Sequence, residues 1–350
     1  MTPTALAIRI TFAVFLSWVL SALSLGGELA FQPQPGLEAA LFQDAKDGKL
    51  DRFTLLEASL IAEGIHDADR IDHYRRQANQ WTRELRRRGA ARGDSSARAE
   101  KILTYLHDRV FTSGYNAQCS RVSRAIDDGR FNCVAATILF NQLSQQLGIS
   151  TSAVAKPGHV WSRLETRPTL DVQTTCPNWF EVLAGRSRPD SADPRGREHP
   201  VDDGSHRELT PLQLVAKIYY NRSVAELRRN QFAQAVVASQ AGLLLDPHDA
   251  AAHNNLLAAL NNWALLLCEK GDYTQAAAVA AYGLSIAPDY QPLTINDLHI
   301  HQKWVLSLCD QGLFDEALQV LQQAHQRRPD AELFDRGRHV VRQMQLRLEG

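Results

Sequence analysis

The chain has 350 residues, of which 44% are hydrophobic, and a formal net charge of -1. This length predicts about two domains, and the hydrophobic content suffices for packed cores and excludes a largely disordered chain. The near-zero charge excludes a chain-wide basic surface of the kind that binds nucleic acid.

The N-terminal segment, residues 1–27, is the first recognisable element. Residues 10–25 are almost entirely apolar, with Arg9 before them and Gly26 after them. The run is shorter than the roughly 20 residues that a spanning helix needs, and small residues near its end suit a signal-peptidase site. We predict a secretory signal or an uncleaved membrane anchor, with a buried core helix as the third interpretation. The first two interpretations place the rest of the protein outside the cytoplasm, in the periplasm or another extracytoplasmic space.

Helices are predicted in the segment that follows. Residues 53–65 form a short apolar helix, and residues 67–88 form a longer helix whose apolar positions recur every three or four residues. A third helix ends near Val110. These helices are the lead-in of a domain that we predict to cover residues 28–184.

A cysteine stands at the start of the next apolar helix. Residues 129–132 form a polar turn, and Cys133 opens a run of apolar residues at helical spacing that ends at Gly148. A thiol at a helix N-terminus lies at the positive end of the helix dipole, which favours the thiolate form. Cys133 is therefore a candidate nucleophile.

Three short strands are predicted after this helix, at residues 152–156, 159–165 and 169–174. The even separation of His159 and Asp171 predicts that both lie on one face of the sheet. A loop of odd length between their strands would place them directly opposite each other. Packing of the cysteine helix on this sheet then brings the imidazole to the thiol.

These residues give the order Cys, His, Asp of a papain-type site. We predict that Cys133 is the nucleophile, that His159 accepts and returns its proton, and that Asp171 orients the imidazole and stabilises its cation. The backbone N–H of Cys133 is one oxyanion donor. Asn132 and Gln118 are both candidates for the second donor.

Residues from about 53 to 179 resemble the bacterial branch of the transglutaminase-like superfamily. The matching motifs are Tyr115-Asn116, Gly129-Arg130-Phe131-Asn132-Cys133, Leu139-Phe140, Leu147-Gly148-Ile149, Pro157-Gly158-His159-Val160 and Asp171. The resemblance implies an α+β papain-like fold, with the cysteine helix on a small antiparallel sheet, and Cys133, His159 and Asp171 as the triad. It implies acyl transfer at an amide or peptide through a thioester, by hydrolysis, deamidation or cross-linking, with no cofactor and no metal.

Two further cysteines flank this predicted domain core. Cys119 and Cys176 form a disulfide bond in one interpretation and remain separate thiols in the other, because sequence does not give their distance. Redox sensing through Cys133 is an additional hypothesis, which requires Cys119 or Cys176 nearby as the resolving cysteine.

A polar stretch, residues 185–208, is rich in Arg, Asp, Pro and Ser and is predicted to be a linker. Residues 209–350 then repeat with a period of 41 residues. Equivalent positions are Ala235, Ala276 and Ala317; Phe232, Tyr273 and Phe314; and Asn230, Gly271 and Gly312, which mark the turn between the two helices of a unit. The pattern predicts an all-α solenoid of three units that resembles tetratricopeptide repeats, whose usual period is about 34 residues.

Two functional hypotheses follow. In the first, the protein is an exported or membrane-tethered acyl-transfer enzyme whose helical repeats bind a protein or peptide. In the second, the papain-like fold is degenerate, and the fold and repeats together form a non-catalytic scaffold for protein–protein interaction. An enzyme requires an accessible Cys133 with His159 near it, whereas a scaffold tolerates a buried thiol or a displaced imidazole.

Overall fold

The computed structural model describes residues 29–191, 206–328 and 332–349. Within these ranges the protein has fourteen α-helices and one four-stranded antiparallel sheet, which makes it a member of the α+β class. The predicted signal or anchor segment, residues 1–27, lies outside the described residues. Among the described helices, none combines the length and hydropathy that crossing a membrane requires.

The elements fall into a mixed N-terminal part and a helical C-terminal part. The first part contains α1 (Leu37–Asp44), a 3₁₀ turn (Ala45–Asp47), α2 (Leu55–Ala62), α3 (Ala68–Arg87), α4 (Ser95–Arg109), α5 (Val122–Asp127), α6 (Cys133–Gln146), β1 (Thr151–Lys156), β2 (His159–Leu164), β3 (Leu170–Val172), α7 (Trp179–Leu183) and β4 (Arg207–Leu209). The second part contains α8 (Pro211–Arg228), α9 (Phe232–Leu245), α10 (Ala250–Glu269), α11 (Tyr273–Ile286), α12 (Gln291–Asp310), α13 (Phe314–Arg327) and α14 (Glu332–Glu349).

Helix α6 is the central element of the mixed part. Residues 133–144 are all buried, although several of them are polar. The polar side chains bind neighbouring elements. Gln142 accepts a hydrogen bond from the backbone N–H of Leu56 at 3.0 Å, and Asn141 donates to the carbonyl of Ser152 at 3.3 Å. These buried hydrogen bonds fix α6 between α2 and the sheet, because breaking one would leave a polar group unsatisfied in the core.

The sheet has the strand order β3-β2-β1-β4. Its first three strands begin within one residue of the predicted positions. Arg163 of β2 pairs with Asp171 of β3, and Ala153 of β1 pairs with Leu209 of β4. The pairing of β4 corrects one sequence expectation, since Arg207 and Glu208 were assigned to the linker 185–208. They extend the sheet because they satisfy the backbone groups of β1, which would otherwise be an edge strand. Residues 192–205 of that linker lie outside the described residues.

The chain divides into two compact units. One contains Gln32–Arg229 and Ala238–Ala252, and the other contains Asn230–Val237 and His253–Gly350. The first unit therefore includes the sheet, α6 and also α8, which the sequence assigned to the repeats. Its side chains explain this placement, because Tyr219 donates a hydrogen bond to Glu38 at 3.0 Å in a buried position.

The repeats form helical hairpins, as the sequence predicted. Helices α9, α11 and α13 begin 41 residues apart, and each contains 14 residues. The turn before each of them contains a residue of positive φ: Asn230 at 57°, Gly271 at 80° and Gly312 at 76°. Left-handed conformation at these positions ends one helix and reverses the chain. The long period arises from α10 and α12, which have 20 residues each.

Candidate active site

Cys133 is the first residue of α6, where the sequence placed it. The preceding residue, Asn132, is the N-cap, and its Oδ1 accepts a hydrogen bond from the backbone N–H of Ala135 at 3.0 Å. This contact begins the helix at Cys133 and leaves the backbone N–H groups of the first turn directed out of the helix end. The side-chain amide of Asn132 is used in capping, and its Nδ2 donates to the carbonyl of Ala117 at 3.5 Å.

His159 is the first residue of β2 and is only 1% exposed. Its ring stacks on the indole of Trp161, with 6.0 Å between the ring centroids and 24° between the planes. Its Nε2 lies 2.7 Å from Oε1 of Gln173, which is also buried. An amide oxygen only accepts hydrogen bonds, so this contact keeps a proton on Nε2 and makes Nδ1 the basic nitrogen of the neutral ring.

Asp171 does not occupy the position that the sequence analysis gave it. Its carboxylate forms a bidentate pair with the guanidinium of Arg163, at 2.6 Å from Nε and 2.9 Å from Nη2. The strand register causes this, because Arg163 and Asp171 are directly opposite each other in the sheet. The side chain in contact with His159 is Gln173, two residues further along the chain. The predicted contact of Asp171 with the imidazole is therefore replaced by that of Gln173, while Asp171 binds Arg163.

A buried threonine connects α6 to the chain beside His159 and to the chain beside Gln173. Thr137 lies one turn after Cys133, and its hydroxyl donates to the carbonyl of Val160 at 3.5 Å. The same hydroxyl is 3.0 Å from the hydroxyl of Thr174. Val160 follows His159 and Thr174 follows Gln173. The helix turn that begins at Cys133 is therefore bound beside both members of the His159–Gln173 pair.

Cys133 and His159 line a common cleft with a volume of about 810 Å³. The exposed fraction of Cys133 is 7%, so the residue is largely buried within the wall of the cleft. Gln118 also lines the cleft, and its side chain is exposed. Both candidates for a second oxyanion donor line the cleft. The side chain of Gln118 is exposed there, whereas Asn132 uses its Oδ1 as the helix cap and its Nδ2 to contact Ala117.

The loop that carries Gln118 is held against the turn before Cys133. The backbone N–H of Asn116 donates to the carbonyl of Phe131 at 2.8 Å, and its side-chain Oδ1 accepts from the backbone N–H of Gln118 at 2.9 Å. The ring of Tyr115 packs edge-on against Phe131. These contacts explain why the Tyr-Asn pair and the cysteine turn appear together as motifs in the sequence.

All five cysteines lie in the described residues, and no disulfide bond joins any of them. Cys119 donates a hydrogen bond to the carbonyl of Arg130, and Cys176 donates to Oδ1 of Asn178. Burial raises the pKa of the Cys119 thiol. Neither residue is among those that line the cleft of Cys133. The structure thus gives no resolving cysteine for the redox hypothesis within the described cleft.

Sequence reasoning missed two parts of this site. The first is Gln173, which occurs in the stretch Val172-Gln173-Thr174 and carries no motif of its own. The second is α8, which lines the cleft through residues between Lys217 and its last residue, Arg228. The sequence predicts helix in this stretch, but no local signal indicates that the helix packs beside Cys133.

The described residues contain no group of three or more His, Cys, Asp or Glu side chains arranged to hold a metal ion. The site is therefore characterised by a thiol at a helix N-terminus, a buried imidazole with an amide partner, and a cleft that reaches both. No family model, curated protein or solved structure matches the chain.

Proposed function

We propose that this protein is a transglutaminase-like acyl-transfer enzyme in which Cys133 attacks the carbonyl carbon of an amide or peptide. The observation that carries the proposal is the shared cleft, which is lined both by Cys133 at the start of α6 and by His159. The contact between Gln173 and Nε2 of His159 supports it, because that contact makes Nδ1 the nitrogen suited to accept the thiol proton.

The reaction proceeds in two halves. His159 takes the proton of Cys133, and the thiolate adds to the carbonyl carbon to give a tetrahedral oxyanion. The backbone N–H of Cys133 and the amide of Gln118 stabilise this oxyanion. The C–N bond then breaks, and the imidazolium gives its proton to the leaving amine. Water or an amine acceptor attacks the carbonyl carbon of the thioester and gives a proton to His159. The C–S bond then breaks to release the acid or the new amide, and the imidazolium returns its proton to the thiolate.

Gln173 has a narrower role in this mechanism than a carboxylate has. It fixes the ring orientation and the tautomer of His159, but it brings no charge to stabilise the imidazolium. The positive charge must therefore be balanced by the thiolate itself, as a close thiolate–imidazolium pair. Asp171 contributes to the stability of the sheet, because its pair with Arg163 joins β3 to β2.

A non-catalytic scaffold is the second candidate function. It is favoured by the low exposure of the two central side chains, 7% for Cys133 and 1% for His159. A scaffold needs the packing of these residues but not their proton exchange. In either case we propose that the helical repeats bind a protein or peptide partner, and that the apolar N-terminal segment exports or anchors the protein.

The test is the rate at which iodoacetamide alkylates Cys133 as a function of pH, with each cysteine followed separately by peptide mass spectrometry. We expect a rate plateau extending well below pH 8.5, the approximate pKa of a free thiol, and its loss in His159→Ala. Cys119 in the same samples is the internal control, and its rate should not respond to the substitution. An ordinary thiol profile at Cys133 that His159→Ala leaves unchanged would reject the enzyme and favour the scaffold.

A further inference from the structure

One face of α8 forms a wall of the cleft that contains Cys133. The lining residues of this helix include Lys217, Tyr220, Asn221, Val224 and Arg228. They are separated by three, one, three and four positions, which is the spacing of a single helix face. The wall is thus a continuous strip along the helix rather than a few scattered contacts.

Another face of α8 is anchored to the body of the same unit. Tyr219 binds Glu38, and Arg222 donates a hydrogen bond to the carbonyl of Ala62 at 2.6 Å. The guanidinium of Arg222 also lies 5.4 Å from the centre of the Tyr219 ring. These contacts fix α8 through residues that do not line the cleft, so the strip that faces the cleft is a preformed surface.

Among the residues that the structure describes, the charges around this cleft are unbalanced. Within that part of the chain, five cationic side chains line the cleft together with one carboxylate, that of Asp249: Lys156, Arg207, Lys217, Arg228 and Arg229. This local excess contrasts with the net charge of -1 for the whole chain. Cleft walls of one sign concentrate ligands of the opposite sign.

Internal ion pairs reduce this excess but do not remove it. Lys217 is 2.6 Å from Asp249, and Arg207 forms a bidentate pair with the buried Asp246. Arg229 contacts Glu226 at a distance of 3.3 Å, and its side chain is 67% exposed. An ion pair at such an exposed position contributes little free energy. Arg228 beside it is also exposed. The positive end of the strip is therefore the C-terminal end of α8.

The length of the strip sets the size of a ligand. Lys217 and Arg228 are separated by eleven residues, or roughly 16 Å at the helical rise of 1.5 Å per residue. An extended peptide rises about 3.3 Å per residue, so about five residues cover this distance. Between the cationic ends the strip presents the neutral side chains of Tyr220, Asn221 and Val224, which suit contacts with a peptide backbone.

We infer that the cleft binds an extended acidic peptide along α8, with carboxylate side chains at the two cationic ends of the strip. This inference rests on the proposed function for its choice of a peptide, and it adds that the substrate or acyl acceptor is acidic. The Lys217–Asp249 pair makes the N-terminal end weaker than the C-terminal end. Arg228 and Arg229 are accordingly the main determinants of specificity.

The test measures binding by fluorescence anisotropy to the full chain carrying Cys133→Ala, which removes chemistry from the readout. The probes are four labelled pentapeptides. Three have an amidated C-terminus: Glu-Gly-Gly-Gly-Glu, Gln-Gly-Gly-Gly-Gln and Lys-Gly-Gly-Gly-Lys. The fourth is Gln-Gly-Gly-Gly-Gln with a free terminal carboxylate. We expect the Glu peptide to bind about tenfold more tightly than the neutral amide, with a difference that shrinks in high salt.

Arg228→Glu should abolish this preference, while Arg76→Glu should leave it unchanged. Arg76 is exposed on α3 and does not line the cleft, so the two variants change the net charge equally. Equal affinities for the Glu and neutral peptides, or equal effects of both variants, would overturn the inference. Tighter binding of the free-carboxylate peptide than of the Glu amide would also overturn it, in favour of terminal-carboxylate recognition.

The outcome is independent of the proposed chemistry. A cleft that prefers the Glu peptide in a protein whose Cys133 alkylates as an ordinary thiol supports the acidic ligand and rejects the enzyme. A reactive Cys133 in a protein with no charge preference supports the enzyme and rejects the acidic ligand.

Discussion

Gln173 places its side-chain Oε1 2.7 Å from Nε2 of His159, and both residues are 1% exposed. A neutral amide thus holds the imidazole in a position where the sequence suggested a carboxylate. Because an amide transfers no charge to the ring, it orients His159 without raising the stability of the imidazolium as an aspartate would.

Gln173→Ala should lower the rate of Cys133 alkylation at pH 7 by about tenfold, because the imidazole loses the contact that sets its orientation. Gln173→Glu should retain the high rate of Cys133 alkylation at pH 7, because a carboxylate can hold the ring in place and also stabilises the imidazolium. The measurement is the pH–rate profile of each variant. Asp171→Ala is the matched control and should retain the wild-type profile while losing stability. If Asp171→Ala changes the profile and Gln173→Ala does not, the assignment of the orienting residue is wrong.

Gly129, in the turn before Cys133, should not tolerate a side chain. It has a φ of +74°, and a Cβ there would overlap the Thr112 hydroxyl and lie 2.8 Å from the Thr112 backbone nitrogen. Gly129→Ala should therefore cost about 3 kcal/mol in the free energy of unfolding, measured with denaturant. Gly114→Ala is the control, since Gly114 has a φ of +81° with open space around it. It should cost only about 1 kcal/mol, and equal costs for both would contradict the packing argument.

Glu63 should make the protein less stable as the pH rises from about 4.5 to about 7. Burial raises the pKa of its carboxyl from the ordinary value of 4.5 to about 7, although its oxygens accept hydrogen bonds from the backbone N–H of Ser123. The folded state therefore binds this proton more tightly than the unfolded state. The stabilising contribution is complete below about pH 4.5 and is lost between pH 4.5 and 7, a change of about 3 kcal/mol at most.

Glu63→Gln should remove this dependence and be more stable than the wild type at pH 8, because the amide oxygen still accepts from Ser123. The difference between the two stability curves is the quantity to measure. This difference separates the effect of Glu63 on stability from the effect of His107. Burial lowers the pKa of His107 to about 4, so His107 makes the protein more stable, not less, as the pH rises towards 6.5. Parallel curves for the two proteins would contradict the prediction.

Asp297 should be essential for the stability of the helical hairpins. It is 4% exposed, and its oxygens lie 3.3 Å from Arg328 Nη1 and 3.3 Å from His301 Nδ1. Burial opposes its ionisation, but the hydrogen bond and charge of His301 and the nearby arginines, Arg327 and Arg328, outweigh burial and lower the pKa of the carboxyl. Its stabilising effect is therefore present above the unfolded pKa and is lost as the pH falls through the lowered folded value.

Asp297→Asn should reduce the free energy of unfolding by about 3 kcal/mol, because it leaves Arg328 without its buried counter-ion. Thermal unfolding at pH 7 measures the effect. Asp289→Asn, at an exposed position, is the control and should change stability by less than about 0.5 kcal/mol. A loss equally small for Asp297→Asn would show that the buried ion pair contributes no net stability.

Much of the local structure followed from the sequence alone. The cysteine helix begins at Cys133 as predicted, because the residues of its polar turn and its first apolar turn are adjacent in the chain. The 41-residue period located the hairpin turns, since Asn230, Gly271 and Gly312 carry the left-handed conformation that their residue types allow. Capping, turn formation and helical periodicity are short-range effects, and a single sequence contains all of their participants.

The composition of the site was decided only by the tertiary structure. The sequence correctly placed His159 and Asp171 on neighbouring strands, but the register put Asp171 opposite Arg163 and brought Gln173 to the imidazole. Antiparallel register depends on how the connecting loop closes, and a shift of two residues keeps the same face while changing every partner. The position of α8 likewise depends on contacts such as that of Tyr219 with Glu38, which are 181 residues apart in the chain. Pairings at such separations are fixed by the packing of the whole unit and leave no local signal.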